Sequence, residues 1–285
     1  MGFCTALRRR AADRPKKETA LTDDAFPTVR HHHSLFLSDL HLGAFGARAD
    51  LVLGFLQENR ADTYLLVGDI LDIGNPLFSH WDATHQAVLD HLADRQTEGA
   101  TLIYVRGNHD PDTVGVPDHK LVPVVPMDQT VHTMADGRRF LVIHGDILDA
   151  RLFRAHVMTR IGSHIDQTLR MLDRALKRRF FRAAVQRRSG IEWVLSWINW
   201  GLYASRAHER RLVAMARAGG YDGVICGHFH MADLHNRHGL IYGNCGDWMD
   251  SFTALAADHD GGLHLLGGRK HFAAVARPKA GLAAQ

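Results

Sequence analysis

Cysteine is scarce in this chain: three in 285 residues, Cys4, Cys226 and Cys245. An odd number without pairing spacing excludes a disulfide framework, and a reducing compartment is the simpler expectation. Cys226 and Cys245 lie in apolar, strand-like runs, where a buried thiol behaves as a small hydrophobe. No uninterrupted apolar run reaches the roughly 20 residues that a membrane span requires. The early basic residues (Arg8, Arg9, Arg10, Arg14, Lys16, Lys17) are not followed by an apolar segment, so no secretory signal is expected. Gly2 has no Ser or Thr at position 6, which excludes the myristoylation pattern. The net charge is only +3 and names no partner by itself. With 46% hydrophobic and 23% charged residues, the chain is neither disordered, nor collagen-like, nor a stapled mini-protein. Its length suits one large α/β domain or two small ones.

What the chain has in excess is histidine, 21 residues, which directs attention to metal ligands. Residues 1–30 read as a basic leader and 271–285 as a flexible tail. From Leu35 onward short apolar strands alternate with helical runs, the pattern of a layered α/β domain. Strands are predicted at Leu35–Ser38, Thr63–Val67, Leu102–Val105, Phe140–Ile143 and Val224–Cys226, with helices around Ala49–Glu58 and Ala83–Ala93. Asp136-Gly137, Asn236–Gly239 and Asp260-Gly261-Gly262 read as hairpin turns. The core is thus expected over 31–150 and 218–270.

Residues 151–217 differ in kind. They hold 15 Lys and Arg against 4 Asp and Glu, leaving the rest of the chain at −8. Ile161, Ile165, Leu169, Leu172, Leu176 and Phe180 form one stripe of an amphipathic helix. Residues 174–188 carry seven basic side chains, Arg178, Arg179 and Arg182 among them, and no acid. Beyond Gly190 a largely apolar run stacks Trp193, Trp197 and Trp200 at helical spacing. The segment reads as a helical insertion. Its tryptophans serve equally well to pack it onto the core.

Five motifs follow apolar runs: Ser38-Asp39-Leu40-His41, Gly68-Asp69, Gly107-Asn108-His109-Asp110, His144-Gly145-Asp146 and Gly227-His228-Phe229-His230. Each falls at the carboxyl end of a strand, where α/β sheets place their sites. Carboxylates, an amide oxygen and imidazoles together suit a borderline divalent ion such as Mn²⁺, Fe²⁺ or Zn²⁺. Asp-x-His and His-x-His at an extended strand end would each place two side chains on one side. Asp69, with two carboxylate oxygens, can bridge two ions. A lone Asp-x-His or Gly-Asp carries little weight; five motifs in order, each after a strand, carry much. His31, His32 and His33 precede the first predicted strand and read as its solvated entry. His80, His85 and His235 are open between pocket and surface roles.

In these residues the chain resembles the calcineurin-like metallophosphoesterases. The resemblance implies a four-layer α/β/β/α metallophosphoesterase sandwich, here with a helical lid insertion, and two divalent ions, Mn²⁺ first among them with Fe²⁺ or Zn²⁺ as alternatives. One ion would take Asp39, His41, Asp69 and His230, the other Asp69, Asn108, His144 and His228. His109 and Asp110 match the pair that contacts the scissile phosphate or leaving group and orients that contact. Two-metal hydrolysis without a covalent enzyme intermediate is implied, with His109 as proton donor.

A narrower likeness rests on Gly68-Asp69-Ile70-Leu71-Asp72, Trp81, His85-Gln86-Ala87-Val88-Leu89, His144 through Asp149, and Tyr242 through Trp248. These are similar to the UDP-2,3-diacylglucosamine diphosphatases of lipid A biosynthesis, which carry a helical insertion between the same two motifs. This chain has GNHD where that family's well-studied member has GNRD, which places it in a related subgroup. The resemblance implies a nucleotide-linked glycolipid substrate. It makes Trp81, His85 and the insertion's Arg178, Arg179, Arg182, Trp193, Trp197 and Trp200 candidate substrate or lid contacts. It also implies a cytoplasmic protein held peripherally on the anionic inner face of the inner membrane, where each basic side chain contributes about 1 kcal/mol. Nucleic acid is not expected as a partner. A metallophosphoesterase acting on another substrate (a nucleotide, a nucleic acid or a lipid phosphomonoester) and a non-catalytic membrane-surface module remain as rival readings.

Overall fold

The computed structural model describes residues 29–44, 46–73, 79–111, 116–148 and 206–268. Two five-stranded mixed sheets lie face to face. The first begins with β1 (Arg30–Leu37), α1 (Ala49–Glu58), β2 (Asn59–Val67), α2 (Ala83–Thr97) and β3 (Thr101–Val105), a β-α-β-α-β run whose three strands are parallel. The second contains β4 (Gln129–Thr133), β5 (Arg139–Ile143), β6 (Gly223–Cys226), β7 (Asp233–His235) and β8 (Ile241–Asn244). Between β5 and β6, α3 (Ala207–Ala218) covers its outer face. The hairpin β9 (Thr253–Ala257) and β10 (Leu263–Gly267) returns to the first sheet, giving the orders β10-β9-β1-β2-β3 and β4-β5-β6-β8-β7.

Period-2 alternation with both faces apolar dictates the layering. Leu35, Leu37, Tyr64, Leu66, Ala254 and Ala256 turn toward α1 and α2; their neighbours Phe36, Leu65, Val67, Leu255 and Ala257 turn toward the other sheet. Phe140, Val142 and Ile225 meet them from β5 and β6, while Leu141, Ile143, Val224 and Cys226 face α3. The result is the expected α/β/β/α sandwich. Helix α1 buries Ala49, Val52, Phe55 and Leu56, one helical stripe. Helix α2 starts at a capping box: the Asp82 carboxylate accepts from the Thr84 and His85 N–H groups, and His85 Nδ1 accepts from the Asp82 N–H.

The anticipated strands and hairpin turns are present, with longer bounds. The histidines 31–33 lie inside β1, paired in register with β2. His31 is exposed, His32 bonds Asn59 at 3.0 Å and His33 bonds Ser34 at 2.9 Å. Residues 207–217, grouped with the insertion on charge, form the outer helical layer, because Leu212, Val213 and Ala216 bury against β5, β6 and β8. The insertion's Arg178, Arg179, Arg182, Trp193, Trp197 and Trp200 lie outside the described residues.

Candidate active site

The ends of β1, β2, β3, β5 and β6 deliver the five motifs to one end of the sandwich, where the loops bond to one another. Asp39 N–H donates to Gly68 C=O (3.0 Å), His41 N–H to Asp69 C=O (3.0 Å) and Gly227 N–H to His144 C=O (3.0 Å). Asp39 sits against the second sheet through its Oδ2, which accepts from the Ser38 hydroxyl and from the His228 N–H at 3.0 Å.

The backbone there is not an extended strand end. Asp39 (φ +53°), His41 (+46°), Asp69 (+53°), His228 (+68°) and His230 (+53°) all occupy the left-handed region. Only two other described non-glycine residues do so. Such conformations cost about 1–3 kcal/mol each and persist where surrounding structure imposes them. The pairs Asp39/His41 and His228/His230 therefore converge through left-handed turns rather than through period-2 alternation. Glycine makes room for this packing. A Cβ on Gly227 would lie 1.6 Å from Ser38 Oγ, and one on Gly107 would lie 2.3 Å from both Asp69 N and Asp69 Oδ1.

Three donor groups result: Asp39 with His41 and His230, Asp69 with His144 and His228, and His41 with Asp72 and His109. Asp39 Oδ1 is 3.2 Å from His230 Nε2 and 3.9 Å from His41 Nε2; Asp69 Oδ2 is 3.2 Å from His144 Nε2. Asp39 Oδ1, His41 Nε2 and His144 Nε2 are buried and make no well-aligned hydrogen bond. Buried polar atoms are normally satisfied, so convergent unsatisfied acceptors of this kind fit divalent cations. The partner atoms agree: His144 Nδ1 is tied to Val67 C=O at 2.9 Å, leaving Nε2 as the inward donor atom. Asn108 is exposed, on the loop between Gly107 and His109.

Electrostatics reflect the same closeness. Burial raises both carboxyls, but the neighbouring imidazoles dominate: His144 holds Asp69 well below the usual carboxylate range, and His230 lowers Asp39. Conversely, burial opposes charge on the imidazoles, yet Asp69 pushes His144 up to about 10 and Asp39 pushes His230 up to about 9.

Two residues have tasks the sequence reading did not assign. Asp72 Oδ2 lies 3.3 Å from His109 Nδ1 and 3.5 Å from His41 Nδ1. Burial lowers His109, but Asp72 and the charge of Asp69 carry it above the ordinary histidine value. The carboxylate set against His109 is therefore Asp72. Asp110 is engaged otherwise: its two oxygens accept from the N–H groups of Asp69 (2.9 Å), Ile70 (2.8 Å), Leu71 (2.9 Å) and Gly107 (2.7 Å). It ties the β2 and β3 loops together. The second residue is Asp247, whose Oδ2 lies 3.9 Å from His230 Nδ1 while its Oδ1 accepts from the Met249 N–H at 2.7 Å. Both sit within quoted motifs, in GDILD and GDW, so the signal was an acid three residues after one candidate ligand and a second acid in the β8 loop.

Trp81 is half-buried against the first core, with Lys120 Nζ 5.4 Å from its ring centre. His85 is buried in the α2 capping box, a task that accounts for it within the fold. His80 is exposed, and His235 lies elsewhere, beside Glu209.

Residues 32–232 match the family model of the calcineurin-like phosphoesterases. The chain belongs to this family, and with it goes metal-dependent phosphoester hydrolysis. No curated protein matches the chain. Among solved structures it is similar to Yfce, a phosphoesterase from E. coli (14% identity, TM-score 0.41, 82% of this chain and 97% of that one). A novel archaeal phosphodiesterase gives 13% identity and a TM-score of 0.40 over 82% and 98% of the two chains. A protein of Streptococcus pneumoniae described as a predicted phosphoesterase gives 12% and 0.38 over 84% and 91%. Among the described residues no helix is long and apolar enough to cross a membrane.

Proposed function

We propose that the chain hydrolyses the pyrophosphate of UDP-2,3-diacylglucosamine, or of a close lipid-linked nucleotide diphosphate sugar, to UMP and the lipid sugar 1-phosphate. The observation that carries the hydrolytic part is the pair of donor groups around Asp39 and Asp69, with the His109–Asp72 pair beside them. In this reading Asp39, His41, Asp69 and His230 hold one divalent ion and Asp69, Asn108, His144 and His228 the other, Mn²⁺ in the first instance. When bound, two such ions supply charge neutralisation for the phosphoryl oxygens and an activated water.

The chain's own groups do the rest. Asp69 Oδ1 accepts the His109 N–H at 2.7 Å, so the residue shared by both ion sites also positions the proton donor's backbone. Asp72 holds the His109 ring by Nδ1, which leaves Nε2 to give a proton to the departing oxygen. Val67 C=O fixes the His144 ring from behind, and the Asp247 carboxylate stands behind the His230 ring as a nearby negative charge.

Support for the lipid part comes from the quoted motif likeness and from two exposed apolar side chains. Ile147 (52% exposed) and Met231 (39%) lie in the loops that carry His144 and His230. Exposed apolar groups beside the candidate ion ligands suit an amphiphile better than a free nucleotide.

Mn²⁺-supplemented hydrolysis of UDP-2,3-diacylglucosamine, with UDP-glucose and an aryl phosphate beside it, tests this reading. UMP release from the acylated substrate alone is expected. Turnover of the aryl phosphate alone would leave the hydrolytic chemistry and remove the lipid substrate; cleavage of a nucleic acid instead would favour a nuclease.

A further inference from the structure

A separate cluster of ligand-type side chains lies where α3 begins. Glu209, in the first turn of α3, is buried (4% exposed) and projects Oε2 toward the β7–β8 hairpin. That oxygen is 3.2 Å from His235 Nε2 and 3.0 Å from His238 Nε2. His235 ends β7, its ring stacked on Tyr242 at 5.2 Å; the His238 ring stands at 74° to it, in the hairpin turn. Two nearly perpendicular imidazoles thus aim at one carboxylate oxygen.

The spacing is close to that at the strand-end centre, where the carboxylate–imidazole distances are 3.2, 3.2 and 3.9 Å. An ion with bonds of about 2.0–2.1 Å in tetrahedral geometry keeps its donors roughly 3.3 Å apart. Asp233 Oδ2, 3.7 Å from His235 Nε2, supplies a further oxygen at the edge.

A positive charge already sits among these atoms. Arg206 Nη1 lies 3.1 and 3.3 Å from the Glu209 oxygens, 3.2 Å from Asp233 Oδ2 and 3.3 Å from His235 Nε2. Arg206 itself has φ +47°, in the left-handed region, directly before α3. Its guanidinium nitrogen stands about a ligand–ligand distance from these atoms, not at their centre, and engages the same Glu209 and His235 atoms that an ion would use.

We propose that Glu209, His235 and His238 form a further binding site for a borderline divalent ion of the Zn²⁺ class, with Asp233 or water as fourth ligand, and that Arg206 competes with the ion for these atoms. A His₂-carboxylate set is an established Zn²⁺ donor combination. Ligation through His235 Nε2 places its proton on Nδ1 and gives up the long 3.3 Å contact from the Arg237 N–H. The ion would fasten the start of α3 to the hairpin that follows the His230 loop. This site is independent of the substrate reading.

The test uses the full chain, stripped with chelator and titrated with Zn²⁺ alone, bound ions being counted by mass spectrometry after desalting. His238→Ala is expected to hold one ion fewer than the parent and, with Mn²⁺, to hydrolyse whichever of the three phosphoesters the parent turns over within about twofold of the parent's rate. Removing the competitor by Arg206→Ala is expected to keep the parent's count and tighten the weakest ion about tenfold or more. Zn²⁺ should raise Tm more in the parent than in Glu209→Gln, which provides a second readout. Equal ion counts in the parent and His238→Ala would overturn the proposal and leave an ion-pair network. So would loss of an ion in Arg206→Ala. Because the reading is a difference of one ion, it stands or falls whatever number the strand-end centre holds.

Discussion

His109 Nδ1 lies 3.3 Å from Asp72 Oδ2, so the imidazole proposed as proton donor is held by an acid from the loop after β2. Against burial, that contact and the charge of Asp69 raise the His109 pKa. A protonated donor loses activity as pH rises through its pKa. Asp72→Asn should therefore lower kcat and move the basic limb of the kcat/KM profile to lower pH. His109→Ala should retain bound metal and lose roughly 10²–10⁴ in kcat. A pH–rate series on both variants checks this; an unmoved basic limb in Asp72→Asn would contradict the pairing.

Asp110 accepts four backbone N–H groups from the loops after β2 and β3. Asp110→Ala leaves these partly buried donors unpaired, at a cost of about 3 kcal/mol or more. For a chain of this size that is a fall in Tm of roughly 6–12 °C, which calorimetry can read. A normal Tm with activity alone lost would assign Asp110 to the chemistry.

Metal uptake should release protons. His144 and His230 are raised to about 10 and about 9 by Asp69 and Asp39, so near neutral pH both rings are protonated before a cation arrives. Ligation needs the neutral ring. Apparent Mn²⁺ affinity should thus rise with pH from about 6 toward about 9, with up to two protons released for these two histidines. Calorimetric titration in buffers of different ionisation enthalpy counts them. Uptake without proton release would contradict the ion pairing described.

Glycine substitutions separate room from conformation. A Cβ on Gly227 collides with Ser38, so Gly227→Ala should lower both Tm and metal content. Gly54 lies in α1 with nothing within 4 Å of its added Cβ. Gly54→Ala should stabilise by about 0.5–1 kcal/mol, read as a Tm rise of roughly 1–4 °C.

The sandwich was legible because alternation and turn residues are local. Leu35, Phe36 and Leu37 in β1, like Tyr64, Leu65 and Leu66 in β2, state two buried faces by apolarity alone, and Asp136-Gly137 states its hairpin. The candidate ligands were legible as motif residues at strand ends. Their left-handed backbone was not, since Asp39 and His41 adopt it only through hydrogen bonds to Gly68, Asp69 and the second sheet. Nor could sequence divide the acids between Asp72 and Asp110, which differ in what the folded loops bring to them. Charge misassigned residues 207–217, because α3 shows its arginines to solvent while burying a short apolar stripe.

The proposed function requires two cations between the strand-end loops, with Asp69 a ligand of both. Anomalous scattering from crystals of the Mn²⁺-loaded protein tests it most directly. Two peaks are predicted at this centre, one beside Asp39, His41 and His230 and one beside Asp69, His144 and His228, with both lost in Asp69→Ala. No peak there, or two peaks that survive Asp69→Ala, would rule out a two-cation centre built on Asp69.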